Sequence, residues 1–382
     1  MDVIYLDNNA TTPLAAEVLE AMMPYLTSAY GNPSSAHRIG QEARAAIDNA
    51  RGQTAALLGC SEGEVSFTGG GTEAVNTAIR GILAGRAPRK RLVTSTVEHS
   101  ACRELCRQLV VEGFEVVYVG VNQQGDLDLD QLRSSLTDQT ALVSLMWANN
   151  ETGVLFPVED IAPMCRSRGI PLHVDATQVM CKLPVNVKAL GIDGLSCAPH
   201  KFHGPKGVGV ICVRRGLKFR PLVVGGPQEN NRRGGTENVP GIVGAGKAAE
   251  IGVSHLSDLA AVAARRDRFE QAVLERIADT HINGRRERRV PNTTNISFTA
   301  LQSEAILLAL SEQGVCASAG SACSSGSMEP SFVLQAMKID HRIAFGAIRF
   351  SLSRYTTDAE LDRALEILPG TIARLRAVMP MG

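Results

Sequence analysis

Between about residues 40 and 215, short apolar runs alternate with longer stretches of helical period, and that alternation leaves few folds open to the chain. Strands joined by crossover helices give this pattern, with the strands mostly parallel and both faces of the sheet covered. The strand candidates are Glu64–Thr68, Arg91–Ser95, Phe114–Val119, Ala141–Trp147, Leu172–Val174, Gly194–Cys197 and Val208–Val213. Helical stretches are Gln41–Leu58, Thr72–Leu83, Ala101–Glu112, Asp128–Leu136 and Val158–Arg168. In a sheet of this kind ligands sit beyond the carboxyl ends of the strands, so the loops that follow them are the first place to look for chemistry.

A second, smaller α+β unit follows. It opens with a charged helical stretch, Asp258–Asp279, and continues through a strand (Thr294–Phe298), a helix (Ser303–Glu312), a strand (Ala347–Leu352) and a helix introduced by Thr357-Asp358. At 382 residues the chain exceeds the usual size of a single core. Two domains are therefore expected: a large one over 14–255, and a small one made of 1–13 and 256–382. Lysine plus arginine and aspartate plus glutamate both number 39, so the balance points to no nucleic acid and no anionic membrane. The run Arg265-Arg266-Asp267-Arg268 lacks interleaved aromatics and reads as a solvated helix face. No secretory signal and no membrane-spanning run is found, so a cytoplasmic protein is expected, with its nine scattered cysteines reduced. Cys102 and Cys106, one helical turn apart, have no partner pair at zinc spacing and read as helix packing, so no metal site is expected.

Three residues carry the chemistry. Lys201 lies in Ala198-Pro199-His200-Lys201-Phe202-His203-Gly204-Pro205, and a tight apolar turn desolvates a lysine enough to make it a nucleophile at pH 7. Asp175 ends the apolar run Pro171–Val174, where a carboxylate is costly to bury unpaired. A protonated pyridine nitrogen would pair it; a helix N-cap would also account for it. Cys323 sits in Gly320-Ser321-Ala322-Cys323-Ser324-Ser325-Gly326, among small residues that cannot bury a thiol, on a loop (about 316–331) expected to be mobile. An amine for a Schiff base, a carboxylate for a ring nitrogen and an accessible thiol are the parts of pyridoxal phosphate (PLP) sulfur chemistry. Around them, Gly69-Gly70-Gly71 and Thr72-Glu73 open a helix after a strand, a setting that favours an anion. His99 follows a strand and could stack on a ring or shuttle protons. Arg349, alternating with apolar residues, suits a carboxylate clamp or a snorkelling surface position.

These segments, with Tyr5–Pro13, Gly31-Asn32-Pro33-Ser34-Ser35, Val97-Glu98-His99, Trp147–Gly153 and Gly235-Thr236-Glu237-Asn238, resemble the cysteine desulfurases of the NifS/IscS type, nearly end to end. The resemblance implies the aminotransferase-like fold-type I architecture, with a mostly parallel seven-stranded sheet in the large domain. It implies PLP on Lys201, with Asp175 at the pyridine nitrogen, Gln178 at the phenolic oxygen and His99 against the ring. Gly71, Thr72 and His200 would hold the phosphate, and Thr236 would reach the cofactor of the neighbouring subunit in a homodimer. Asn150 and Arg349 would hold the carboxylate of L-cysteine. Lys201 would move the α-proton, and Cys323 would take the sulfur as a persulfide for an iron–sulfur scaffold, with Cys323 itself a transient cluster ligand. A free thiol is only a few per cent ionised at pH 7, so either the loop lowers its pKa or His99 takes the proton. Ala198 departs from the family pattern, which has a serine there; one phosphate hydrogen bond of order 1 kcal/mol would be missing. The rival readings are a selenocysteine lyase and a non-catalytic sulfur carrier on the same fold.

Overall fold

The computed structural model describes residues 3–320 and 329–378; Cys323 lies outside them. Strand β1, Ile4–Tyr5, opens the chain. The large sheet follows, with β2 (Val65–Thr68), β3 (Arg91–Ser95), β4 (Glu115–Val119), β5 (Thr140–Met146), β6 (Leu172–Asp175), β7 (Gly194–Cys197) and β8 (Gly209–Val213) in the order β2-β8-β7-β6-β5-β3-β4. The α/β pattern read from the sequence is therefore found. One strand is reversed: β8 pairs antiparallel with both β2 and β7, while the β7-β6-β5-β3-β4 run is parallel.

Strand alternation puts successive side chains on opposite faces, and both faces are dry. Leu92 and Leu142 pack under helices Gly71–Ala84 and Ser100–Val111, in a cluster with Ile79, Ile82, Leu105 and Leu109. Their neighbours Val93 and Val143 point the other way, into the cluster that holds Ile47 and Leu58 of helix Arg38–Leu58 and Ile242 of helix Val239–Ser254. The last two helices meet closely because of glycine. A Cβ on Gly246 would come within 2.5 Å of the Ala50 Cα, so any side chain there forces the backbones apart. Cys102 and Cys106 are buried on helix Ser100–Val111 with their sulfurs 3.9 Å apart.

A separate apolar cluster is built on β9 (Thr280–Ile282), β10 (Thr293–Phe298) and β12 (Ala347–Ser351), an antiparallel sheet in the order β12-β10-β9. Phe298, Ile348 and Phe350 pack there against Phe269 of helix Leu259–Arg276 and Leu361 and Leu368 of helix Asp358–Val378. Strand β11, Val315–Cys316, pairs in parallel with β1, so that Leu6 enters the same cluster. The chain between β1 and residue 15 then crosses to the large sheet. Asn8 N–H donates to the Ser351 carbonyl (3.2 Å), Thr12 N–H to that of His200 (2.9 Å) and Ala15 N–H to that of His203 (3.1 Å). Among the described residues no helix is long and apolar enough to cross a membrane.

The tight helix crossing makes a direct prediction. Gly246→Val should lower the thermal unfolding midpoint by several degrees, about 1–3 kcal/mol of overpacking strain, with little change in circular dichroism.

Candidate active site

Loops beyond the carboxyl ends of β3, β5, β6 and β7 surround a cavity of about 250 Å³ that also takes in the start of helix Gly71–Ala84. Its wall includes Gly71, Thr72, His99, Asn150, Asp175, Gln178, His200, Lys201 and Arg349, together with Asn9, Ala10, Ala198 and Gly320. The structure thus brings together nine of the residues singled out in the sequence. Thr236 does not join them; it lines a separate cavity of about 140 Å³ with Gly69, Arg233 and Glu237. Gly320, on the cavity wall, precedes Cys323 by three residues.

Lys201 ends a single 3-10 turn, Pro199–Lys201, in the connection between β7 and β8. Its Nζ donates to the carbonyl oxygens of Asn9 (2.6 Å) and Ala10 (2.8 Å), which the sequence reading had not marked as functional. Backbone oxygens carry no residue signature, so only the fold reveals them. Asp175 is 8% exposed, and one carboxylate oxygen, Oδ1, accepts the Thr177 N–H at 3.0 Å. The N-cap alternative is not what is seen: Asp175 closes β6 and leads into turns, not a helix.

His99 is the N-cap of helix Ser100–Val111, and its Nδ1 accepts the Ala101 N–H at 3.2 Å. Burial lowers its pKa, with Lys201 and Arg103 adding to the effect and Asp175 opposing it. A neutral ring whose Nδ1 is an acceptor carries its proton on Nε2, so His99 offers the site a donor. Burial, with Lys201 and Lys206, likewise pushes His200 down to about 4, and its Nδ1 lies 3.1 Å from the Thr11 hydroxyl. Both histidines are uncharged at neutral pH.

Arg349 is 2% exposed, which rules out a snorkelling surface side chain. Its two terminal nitrogens donate to the Asn150 carbonyl (2.9 Å) and the Asp7 carboxylate (2.7 Å). Two polar atoms beside the cavity are left over: the Arg349 Nε and the Asn150 side-chain oxygen are buried without a hydrogen-bond partner. Leaving such groups unmade costs about 1–3 kcal/mol each, which favours a polar ligand that pairs them. Helix Gly71–Ala84 likewise begins without a side-chain cap, so its first N–H groups are available to an anion. A Cβ on Gly71 would lie 3.1 Å from that of Ala198, so the glycine keeps this end of the cavity open.

A family model described as aminotransferase class-V matches residues 4–364. The chain belongs to the class-V aminotransferase family. Among relatives in that family, the cysteine desulfurase of Trichormus azollae is 52% identical over 381 residues, covering 100% of this chain and 95% of the relative. That of Gluconacetobacter diazotrophicus is 49% identical over 383 residues, covering 100% of this chain and 96% of the relative. A solved NifS-like protein superposes with a TM-score of 0.92 at 38% identity, covering 98% of this chain and 100% of the other. A structure of SspA in complex with cysteine gives 0.82 at 34% identity, covering 92% and 99%. The fold-type I architecture expected from the sequence is the one shared with the NifS-like structure.

One buried acid beside the site has a consequence for stability. Glu98 is 2% exposed; it accepts the Met146 N–H at 3.0 Å and the Ser95 hydroxyl at 2.6 Å, yet burial outweighs these bonds and pushes its pKa up to about 8. The unfolded chain releases this proton near 4.5, the ordinary carboxyl value, whereas the folded chain holds it until about 8. The stability it confers is therefore complete at low pH and lost as pH rises through that window. Melting temperatures measured from pH 5 to 8 should fall more steeply for the native protein than for Glu98→Gln.

Proposed function

We propose that this chain is a PLP-dependent cysteine desulfurase: it converts L-cysteine to L-alanine and leaves the sulfur as a persulfide on Cys323. The observation that carries the reading is the single cavity in which Lys201, Asp175, Gln178 and His99 meet the uncapped start of helix Gly71–Ala84. The relatives named cysteine desulfurase, at about half identity over the whole chain, support it.

The residues fit the cofactor. Asp175 keeps its second carboxylate oxygen, Oδ2, for the pyridine nitrogen, since Oδ1 is engaged by Thr177. The N–H groups at Gly71 and Thr72, with His200, would take the phosphate, and Ala198 contributes no hydroxyl. PLP bound there supplies an electron sink for the pair released at the substrate α-carbon. The neutral His99 ring would pack against it, and the Gln178 amide would reach its phenolic oxygen.

The substrate carboxylate would pair with the unpartnered Arg349 Nε, next to the orphaned Asn150 side chain. The Lys201 amine would carry a proton to and from the α-carbon. The Cys323 thiolate attacks the substrate sulfur. An S–S bond forms, the Cβ–S bond breaks with its electron pair left on carbon, and a proton completes the methyl group of alanine. L-Cysteine plus one thiol thus becomes L-alanine plus one persulfide, with no external oxidant. His99 presents Nε2–H, so it suits proton donation better than removal of the thiol proton.

We also assign the protein to the cytoplasm, as a homodimer in which Thr236, absent from its own chain's cavity, serves the neighbour's phosphate, and we name an iron–sulfur scaffold as acceptor of the persulfide.

Purified holoprotein given L-cysteine should form alanine, with a 32-dalton addition on Cys323 by mass spectrometry (the mass of one sulfur, ~32 Da). Cys323→Ala should keep the visible absorption of the cofactor and form no persulfide, while Lys201→Ala should lose about 10²–10⁴-fold in turnover. Alanine formation at the native rate by Cys323→Ala would refute the assignment of the thiol.

A further inference from the structure

A second lysine lies under the site. Lys182 is only 7% exposed and does not line the catalytic cavity. Its Nζ donates to the side-chain oxygen of Gln178 (2.9 Å) and to that of Asn9 (3.1 Å). An ammonium or amine held this way has donors to offer and, when charged, no acceptor at all. The atom that each amide turns toward it must therefore be oxygen, and the usual ambiguity between the two ends of a carboxamide is removed.

That choice propagates through both side chains. With Oε1 held inward, the Gln178 Nε2 is turned to the Asn9 carbonyl at 3.0 Å, on the side of residues that line the cavity, and its other hydrogen is left over. With Oδ1 shared between Lys182 and the Asn292 amide (3.1 Å), Asn9 Nδ2 is directed to Thr293 Oγ1 (2.8 Å) and the Asn150 carbonyl (3.3 Å). The same Asn9 carbonyl that accepts from Gln178 also accepts from Lys201 at 2.6 Å. Lys182 thus sits at the root of a chain of directed bonds that ends at the amine doing the chemistry.

We propose that Lys182 is a positioning residue: it locks the Gln178 carboxamide with its NH₂ toward the cavity, so that the phenolic oxygen of the cofactor ring always meets a donor. The proposal rests on the reading of the cavity as a PLP site. Without Lys182 the amide could turn its oxygen to that electron-rich atom, replacing an attraction by a repulsion.

The surroundings of Lys182 make this arrangement sensitive to charge. Lys201 and Arg349 face it from the site, with Cys181 beside it; across a cavity of about 50 Å³ on its other side lie His203, His255, Asp258 and Arg354. Burial, then the charges of Lys201 and Arg349, bring its pKa down to about 7. Charged, it accepts nothing and fixes the Gln178 oxygen toward itself; the neutral amine still donates but gains a lone pair, so it holds the amide less firmly.

The test uses the purified holoenzyme and its visible absorption, without turnover. Lys182→Met removes the donor while keeping much of the volume. Loss of the directed bond makes the phenolic oxygen more basic, so the pH at which the cofactor band changes should rise by about one unit, a tenfold change in proton affinity. Cofactor retention on dialysis should fall roughly fivefold to thirtyfold. In a Gln178→Ala background most of both effects should disappear, because the lysine acts through that side chain. If Lys182→Met does not fold, as judged by circular dichroism and melting, Lys182→Leu, which also lacks a donor, makes the same comparison and should shift in the same direction. A native spectrum and titration in the folded variant overturns the proposal, as does a shift that persists in full without Gln178. Protein that binds no PLP would instead overturn the reading of the site itself.

Discussion

The contact on which the molecule turns is the pair of carbonyl oxygens, Asn9 and Ala10, that hold the Lys201 amine. They belong to the strip of chain that begins in the parallel pair β1-β11 and ends by bonding to the backbone of the lysine turn itself. Through that strip the two apolar clusters, one around the large sheet and one around β10 and β12, share a single polar seam. Asn9 makes the seam specific. Its backbone and side chain together engage Lys201, Gln178, Lys182, Asn150, Asn292 and Thr293, so no member can move without breaking bonds to others.

Burial then decides which members carry charge. It holds His99 and His200 neutral and keeps the proton on Glu98, while Arg349 is paired with Asp7. The result is a wall with fixed donors and few free charges, the kind of preorganised polar surround that needs little rearrangement when a ligand arrives.

Much of this was readable in the sequence, for identifiable reasons. Each strand of the large sheet is an apolar run bounded by polar or glycine-rich turns, and the polar residues after those runs fall on the cavity wall because the sheet's carboxyl ends face it. Much of what escaped notice shares one physical trait: it is not a property of side-chain pattern. Helix Val239–Ser254 is hidden by Gly241, Gly244, Gly246 and Gly252, residues that argue against a helix until a partner is seen packed against them. The Asn9 and Ala10 carbonyls are backbone. The depth of Lys182 and Glu98 follows from what covers them, not from their neighbours in the chain. The reversal of β8 did leave a signal: the connection between β7 and β8 is too short for the dozen or more residues, usually a helix, that a parallel crossover needs.

That reversal has a mechanical meaning. A parallel neighbour would have carried the chain to the far edge of the sheet and back, leaving the lysine at one end of a long lever. Here both ends of its loop are clamped by adjacent, directly paired strands, and β6, which ends in Asp175, is the next strand over. The angle between amine and carboxylate is thus an attribute of three neighbouring strands, as stiff as the pleat itself, and thermal motion in distant loops has little purchase on it.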